Sequence, residues 1–287
     1  MTSARRGAVF GLLAALTFGV SAPLAKRLGT EIAPLMLAGL LYGGAALALV
    51  GFGRLLPRDV STGLDRRDTP ALAAITILGG MVGPVLMLIG LARVSAAAGA
   101  LFLNLEGPFT ALVAVAAFRE RLGWHATAAI VLVTAGAMVL AVGGGDLRGS
   151  LPGAVAIAGA CLAWAVDNNL TRRLAMRDPL AVVRVKTLGA AAGNLMLALL
   201  LGDALPSAGP FGGALLVGGV SFGASVLLDA YALRILGAAR EAAYFATAPF
   251  VGALLGAILF REHIGGAEMG AGLLMLAGVV LLTRETR

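Results

Sequence analysis

Residues 108–120 read PFTALVAVAAFRE and residues 249–262 read PFVGALLGAILFRE; each copy is followed by a glycine, Gly123 or Gly265, and a further long apolar run. The same kinship returns near the start of the chain. Gly7-Ala8-Val9 matches Gly153-Ala154-Val155, and at that offset Phe18 falls on Trp164, Leu24 on Leu170 and Lys26-Arg27-Leu28 on Arg172-Arg173-Leu174. A duplication within strongly apolar sequence points to a membrane carrier built from two related halves. It also marks the first apolar run, which behind Arg5-Arg6 resembles a secretory signal, as a span with an internal counterpart and hence one expected to be retained.

The 287 residues are 59% hydrophobic and 13% charged, with mean hydropathy +0.94, whereas soluble domains carry about a quarter of charged residues. Crossing the hydrocarbon layer takes roughly 20 apolar residues as helix. Ten stretches qualify, at about 7–25, 33–53, 70–91, 95–118, 124–142, 151–171, 180–201, 211–233, 239–260 and 264–283. Backbone in lipid must bond to itself, which selects helices over strands. The expected fold is an all-α polytopic membrane protein with ten transmembrane helices in two five-helix repeats, residues 1–142 and 151–287, joined by a Gly-rich segment at 143–150. Five is odd, so the second repeat enters the membrane inverted, related to the first by a pseudo-two-fold axis in the membrane plane.

Of the 22 Lys and Arg, fifteen fall on the side of the N-terminus and five on the other, with Arg184 and Lys186 inside a span. The positive-inside rule then places both termini in the cytoplasm and accounts for the net charge of +7 without a nucleic-acid partner. The longest polar connection, Arg54 to Thr69, is too short to hold a domain, and no GxxxxGK[ST] is present to couple the chain to ATP hydrolysis. The lone Cys161 excludes an intramolecular disulfide and a cysteine metal cluster, and is expected to pack. His125 and His263 lie far apart without acidic ligand spacing, so neither metal nor other cofactor is expected. An enzyme would need acids, His or Ser gathered at one depth with nucleophile or metal spacing, and no such set stands out.

Ten spans in two quintets, each closing on Pro, an apolar run, Arg-Glu, Gly and a final span, resemble the EamA-type carriers of the drug/metabolite transporter superfamily. The stretch from Leu103 to Leu112, LNLEGPFTAL, looks like one branch of it. The resemblance covers essentially the whole chain and implies a secondary transporter, often an exporter, of a small organic metabolite. Relatives are associated with amino acids, nucleotide sugars, drugs and other metabolites, so the cargo stays open, as do a passive facilitator and a membrane-embedded enzyme. The implied setting is a cell membrane crossed many times, a bacterial inner membrane; the implied partners are the solute, the bilayer and protons, for a monomer or a homodimer.

In a duplicated scaffold, function is sought where the copies differ. Aligning Pro108 with Pro249 sets Glu106 against Thr247, Leu88 against Asp229 and Ala100 against Glu241; elsewhere Gly39 and Leu41 meet Arg184 and Lys186, and Ser21 meets Asp167. Glu106 sits about 12 residues into its span, hence roughly 18 Å deep. A charge there costs several kcal/mol unless it is hydrated, paired or protonated. That suits either a proton-coupling or amine-binding site, or a protonated Glu gluing two helices together. Pro108 lacks an N–H and frees the Asn104 carbonyl, as Pro249 frees that of Phe245. Two positions apart, Asn104 and Glu106 point to different faces.

Lys186, Ala190 and Asn194 share one helix face, and Ser221, Ser225 and Asp229 share another. Lys186 and Asp229 are expected to face a common polar cavity and to pair, the alternative being that both snorkel to the interface; Arg184 is expected to snorkel. Glu241, Tyr244 and Thr247 at spacing three form a polar edge, with Glu241 near enough to the helix end to face water. One member of Asp167-Asn168-Asn169 is expected to line the cavity, and Trp164 and Tyr42 either wall it or pack. Glu106, Lys186 and Asp229 together suit a zwitterion such as an amino acid. Arg119-Glu120 and Arg261-Glu262 are expected to fix helix ends. The small-residue pairs Gly39/Gly43, Gly79/Gly83 and Gly252/Gly256 mark close helix contacts, within the chain first and between copies second.

Overall fold

The computed structural model describes residues 3–52, 63–118, 123–143, 147–236, 241 and 244–285. The expected Arg119-Glu120 contact and the centre of the Gly-rich joint, 144–146, lie outside them. The described residues form helices and no strands, as lipid-embedded backbone requires. The helices are α1 (Ser3–Leu28), α2 (Pro34–Phe52), α3 (Arg66–Leu91), α4 (Ala96–Ala117), α5 (Trp124–Gly143), α6 (Leu147–Ala175), α7 (Pro179–Leu200), α8 (Ala208–Leu236), α9 (Ala248–Phe260) and α10 (Gly266–Glu285). Among the described residues seven helices are long and apolar enough to cross a membrane, and shorter apolar helices lie within α5, α9 and α10.

Polarity is arranged inside out. Asn104, Asp167, Lys186, Asn194, Ser225 and Glu241 are buried, while Leu200, Val142, Leu216 and Leu273 are about two-thirds exposed or more. In water that distribution would be unfavourable; in a bilayer the outward apolar side chains meet acyl chains and the polar ones meet each other. The protein is therefore a multi-pass membrane protein.

Helix packing repeats itself. α1 packs on α8 and α9, as α6 packs on α3 and α4; α2 packs on α7 and α8, as α7 packs on α2 and α3; α4 meets α9 and α5 meets α10. Each interface recurs when five is added to both helix numbers. α2 and α8 touch main chain to main chain, because a Cβ on Gly44 would overlap the backbone of Leu215 and one on Gly218 the backbone of Leu41. The expected glycine contacts are likewise made inside the chain: Gly39 against Leu195, Gly83 against Trp164, Gly252 against Gly19 and Ala100, and Gly256 against Ala96.

Four helices are irregular. α3 winds as π-helix over Ile75–Val82, and α8 does so over Gly218–Ala224, nearly the same place in the register that aligns Pro108 with Pro249. α4 tightens to a 3-10 turn at Leu103–Leu105, just ahead of Glu106 and Pro108, and α9 is preceded by a turn at Ala246-Thr247, just ahead of Pro249. Prolines explain the second pair, since each removes a donor from its helix.

One end of the bundle is clamped. Both carboxylate oxygens of Glu262 accept from the first N–H groups of α4, Ala96 at 2.8 Å and Ala97 at 3.1 Å, and the Ser95 hydroxyl accepts from Ala98 N–H. A carboxylate at a helix N-terminus satisfies its orphan donors and its dipole together. From α1, Lys26 Nζ donates to the carbonyls of Leu91 and Val94 at 2.6 and 2.5 Å. Glu262 thus does the end-fixing work expected of it.

Candidate functional site

Lys186 on α7 donates to Asp167 Oδ2 on α6, and Thr171 Oγ1 donates to the other oxygen at 3.0 Å. The two charged side chains are 7% and 2% exposed. This differs from the expected Lys186 to Asp229 pair. Spacing along α7 and α8 tells which faces are polar, but not that α6 brings a carboxylate nearer to Lys186 than α8 does.

The ion pair lies against the π-helical stretch of α3. A Cβ on Gly79 would overlap the Asp167 carboxylate. Where π winding departs from the regular helical ladder, carbonyls look for donors outside the helix. Gly79 O accepts from Tyr42 Oη at 2.9 Å and Trp164 Nε1 at 3.0 Å, and Gly80 O accepts from Asn194 Nδ2 at 3.0 Å. Three residues expected to line a pathway are thus bonded to main chain. Tyr42→Phe leaves Trp164 on the shared acceptor, so we expect a loss of about 1 kcal/mol, read as a small fall in the detergent melting temperature; an unchanged melting temperature would mean that the hydroxyl contributes nothing to the fold.

Glu106 opens the helical segment after the 3-10 turn, is partly exposed, and accepts from Asn168 Nδ2 of α6 at 2.6 Å. Asn104 points the other way, as its spacing requires, donating to Leu101 O at 3.2 Å and lying 3.6 Å from Met275 Sδ of α10. Asp229, Asp167 and Lys186 all act electrostatically on Glu106. Asp229 and Glu241 act on each other electrostatically. Glu241 is 6% exposed instead of facing water.

The remaining candidates bond locally or to neighbouring helices. Ser225 Oγ donates to Ala14 O at 2.9 Å, Thr247 Oγ1 to Tyr244 O at 2.7 Å, and the Tyr244 side chain lies over Gly11 of α1. Arg184 donates to Leu49 O at the end of α2, at 3.1 and 3.3 Å. Asn169 reaches Thr110 O on α4 at 3.0 Å, so both Asp167 and Asn168, and not one member of that triplet, meet the central charges.

Aromatic rings fill the space between these groups. Phe18 stands 6.1 Å from Trp164, 6.0 Å from Phe222 and 5.2 Å from Phe245, and Tyr42 stands 5.7 Å from Phe222. Sequence reading did not single out Phe18, Phe222 or Phe245; an apolar ring in an apolar span gives no periodic signal. Asp167 did have one, its mismatch with Ser21.

Comparisons with known proteins agree with this architecture. The model of the EamA-like transporter family matches twice, over residues 5–142 and 151–284. An uncharacterized transporter of Methanothermobacter thermautotrophicus is 29% identical over 94% of this chain and 84% of its own length. A putative permease-like protein of Bacillus subtilis, YdzE, is 39% identical over 24% of this chain and 88% of its own length. A solved crystal structure at 20% identity superposes with a TM-score of 0.73, covering 98% of this chain and 97% of its own, which shows the shared fold.

Proposed function

Since the chain belongs to the EamA-like transporter family, within the drug/metabolite transporter superfamily, we propose that it is a secondary carrier that moves a small organic metabolite by alternating access and couples it to protons at Glu106. The two five-helix halves, 1–142 and 151–287, rock against each other about the central charges, with both termini in the cytoplasm of a bacterial cell and export as the direction. A carrier reading suits the chain better than an enzyme because Tyr42, Asn194 and Ser225 spend their donors on backbone carbonyls, and among the described residues no nucleophile and base stand in line.

The observation that carries the reading is the partly exposed Glu106 at a helix break, held by Asn168 among Asp167, Lys186 and Asp229. An acid at such a depth is functional by default, and the broken helix next to it supplies the irregular backbone that carriers place at their binding sites.

A thermal-shift screen of the purified protein against a metabolite panel identifies the cargo. In proteoliposomes, uptake of that compound should be saturable and driven by an imposed pH gradient. Replacing a charge-bearing hydrogen-bond partner costs about 1.5–3 kcal/mol, so Glu106→Gln should reduce gradient-driven uptake roughly 10- to 100-fold and remove its pH dependence. A Glu106→Gln protein with unchanged pH dependence would exclude coupling at this residue, and uptake linear in concentration would favour a passive facilitator.

A further inference from the structure

The clamp at the end of the bundle away from both termini ties one half of the chain to the other. Glu262 follows α9 in the second half, and the N–H groups of Ala96 and Ala97 that it accepts from open α4 in the first. Beneath it the same helices meet through small residues: Gly256 lies against Ala96, and Gly252 against Ala100 and the Gly19 carbonyl of α1. Small residues leave no long side chains to disentangle along such a seam, so the clamp above it decides whether the seam parts.

The corner that presents Glu262 is strained. α9 closes on Arg261 in the left-handed region, φ 53° and ψ 36°, the one non-glycine residue with positive φ among those described. Its turn lets the Glu262 N–H reach back to Ala257 O at 3.0 Å, a bond that helix ends usually make around a glycine. Glycine adopts this conformation freely, whereas a Cβ crowds the following carbonyl. The Arg261 side chain is exposed, so burial does not offset that strain. Strained backbone persists where its surroundings hold it, and it gathers at segments that switch. Here the holding is done by the amide hydrogens of Ala96 and Ala97.

The tip of α1 has a break of its own. Pro23 offers no N–H to the Gly19 carbonyl, and a proline inside a helix is where the helix bends. Beyond that point Lys26 Nζ holds the Leu91 and Val94 carbonyls and lies 5.9 Å from the ring of Phe260, the last residue of α9. Two mobile joints, Pro23 and Arg261, therefore flank the same turn.

Resting on the carrier reading, we infer that Lys26 and Glu262 are the gate that seals the solute path at this end, and that Arg261 is its spring, strained while the gate is shut and relaxed when it opens. Hydrogen bonds to the first turn of α4 favour the shut state and the left-handed residue favours the open one. Opposing terms of similar size keep both states within reach, as a carrier that exposes its site to each side in turn requires.

The test uses the purified full chain in detergent, with Cys161→Ala removing the buried native thiol and Ala22→Cys as reporter. Ala22 is 2% exposed and stands one turn inside Lys26 on the same face of α1. The rate at which a charged maleimide labels the reporter thiol follows the open fraction of this end. Glu262→Gln keeps the shape and loses the charge that strengthens both bonds, so labelling should rise about tenfold. Lys26→Met should raise it likewise and serves if Glu262→Gln does not fold. Arg261→Gly removes the strain and should slow labelling about tenfold, while melting no lower than the parent. Arg261→Ala loses the guanidinium but keeps the Cβ, and should label at the parent rate. Parent-like labelling in Arg261→Gly, slow labelling in Arg261→Ala, or unchanged labelling in the folded Glu262→Gln or Lys26→Met protein overturns the inference. Those outcomes leave the carrier reading to its own uptake assay, whereas labelling as expected in a protein without gradient-driven uptake would bring down the carrier and keep the gate.

Discussion

Lys186→Met alone should destabilise the protein by about 3–5 kcal/mol, because it leaves the Asp167 carboxylate buried with only the Thr171 hydroxyl for company. Asp167→Asn alone should cost a similar amount by stranding Lys186. Replacing both together removes two desolvation penalties along with their attraction, and a buried ion pair exchanged for neutral groups of similar volume is often near neutral. The double variant should therefore recover most of the loss. At roughly 2–4 °C per kcal/mol, each single variant should melt about 10 °C lower in detergent and the double close to the parent. A double variant as unstable as the sum of the singles would mean that the two charges act independently.

Gly44→Val and Gly218→Val should be the most damaging apolar substitutions in the chain. A Cβ at either position overlaps main chain of the partner helix, and main chain cannot rotate out of the way as a side chain does. Overpacking costs typically 1–3 kcal/mol where side chains can adjust; here two helix axes must separate, so each variant should fail to accumulate as folded protein. Gly270→Ala on α10 is the control, since a Cβ there meets nothing within 4 Å and alanine favours helix by about 1 kcal/mol over glycine. Fluorescence-detected gel filtration of the three proteins separates the cases. Normal yields of Gly218→Val would mean that α2 and α8 do not meet along their backbones.

The fold was legible because membranes simplify the reading: apolar runs must be helices, and the PF…FRE duplication links the two halves. The inward faces of α4, α7 and α8 were legible too, whereas Glu241, read as near enough to a helix end to face water, is buried. Asn104 and Glu106 diverge as two-residue spacing requires, and Lys186, Asn194 and Ser225 are all buried. Partners were not legible. Asp167 and Lys186, or Glu106 and Asn168, meet across different helices, and no periodicity within one helix reveals which neighbour sits closest. The π-helical stretches also escaped, since Gly79 and Gly80 read equally well as packing residues; their meaning lies in two carbonyls that Tyr42, Trp164 and Asn194 come to meet.

The clamp made by Lys26 and Glu262 grips carbonyls and amide hydrogens and takes no account of side chains. The turn between α3 and α4 is accordingly free to drift in sequence while its position stays fixed. Two full charges spend their hydrogen bonds on that turn, and neither can let go until water arrives to replace the groups it leaves. Separating the helices at this end of the molecule therefore requires wetting the clamp.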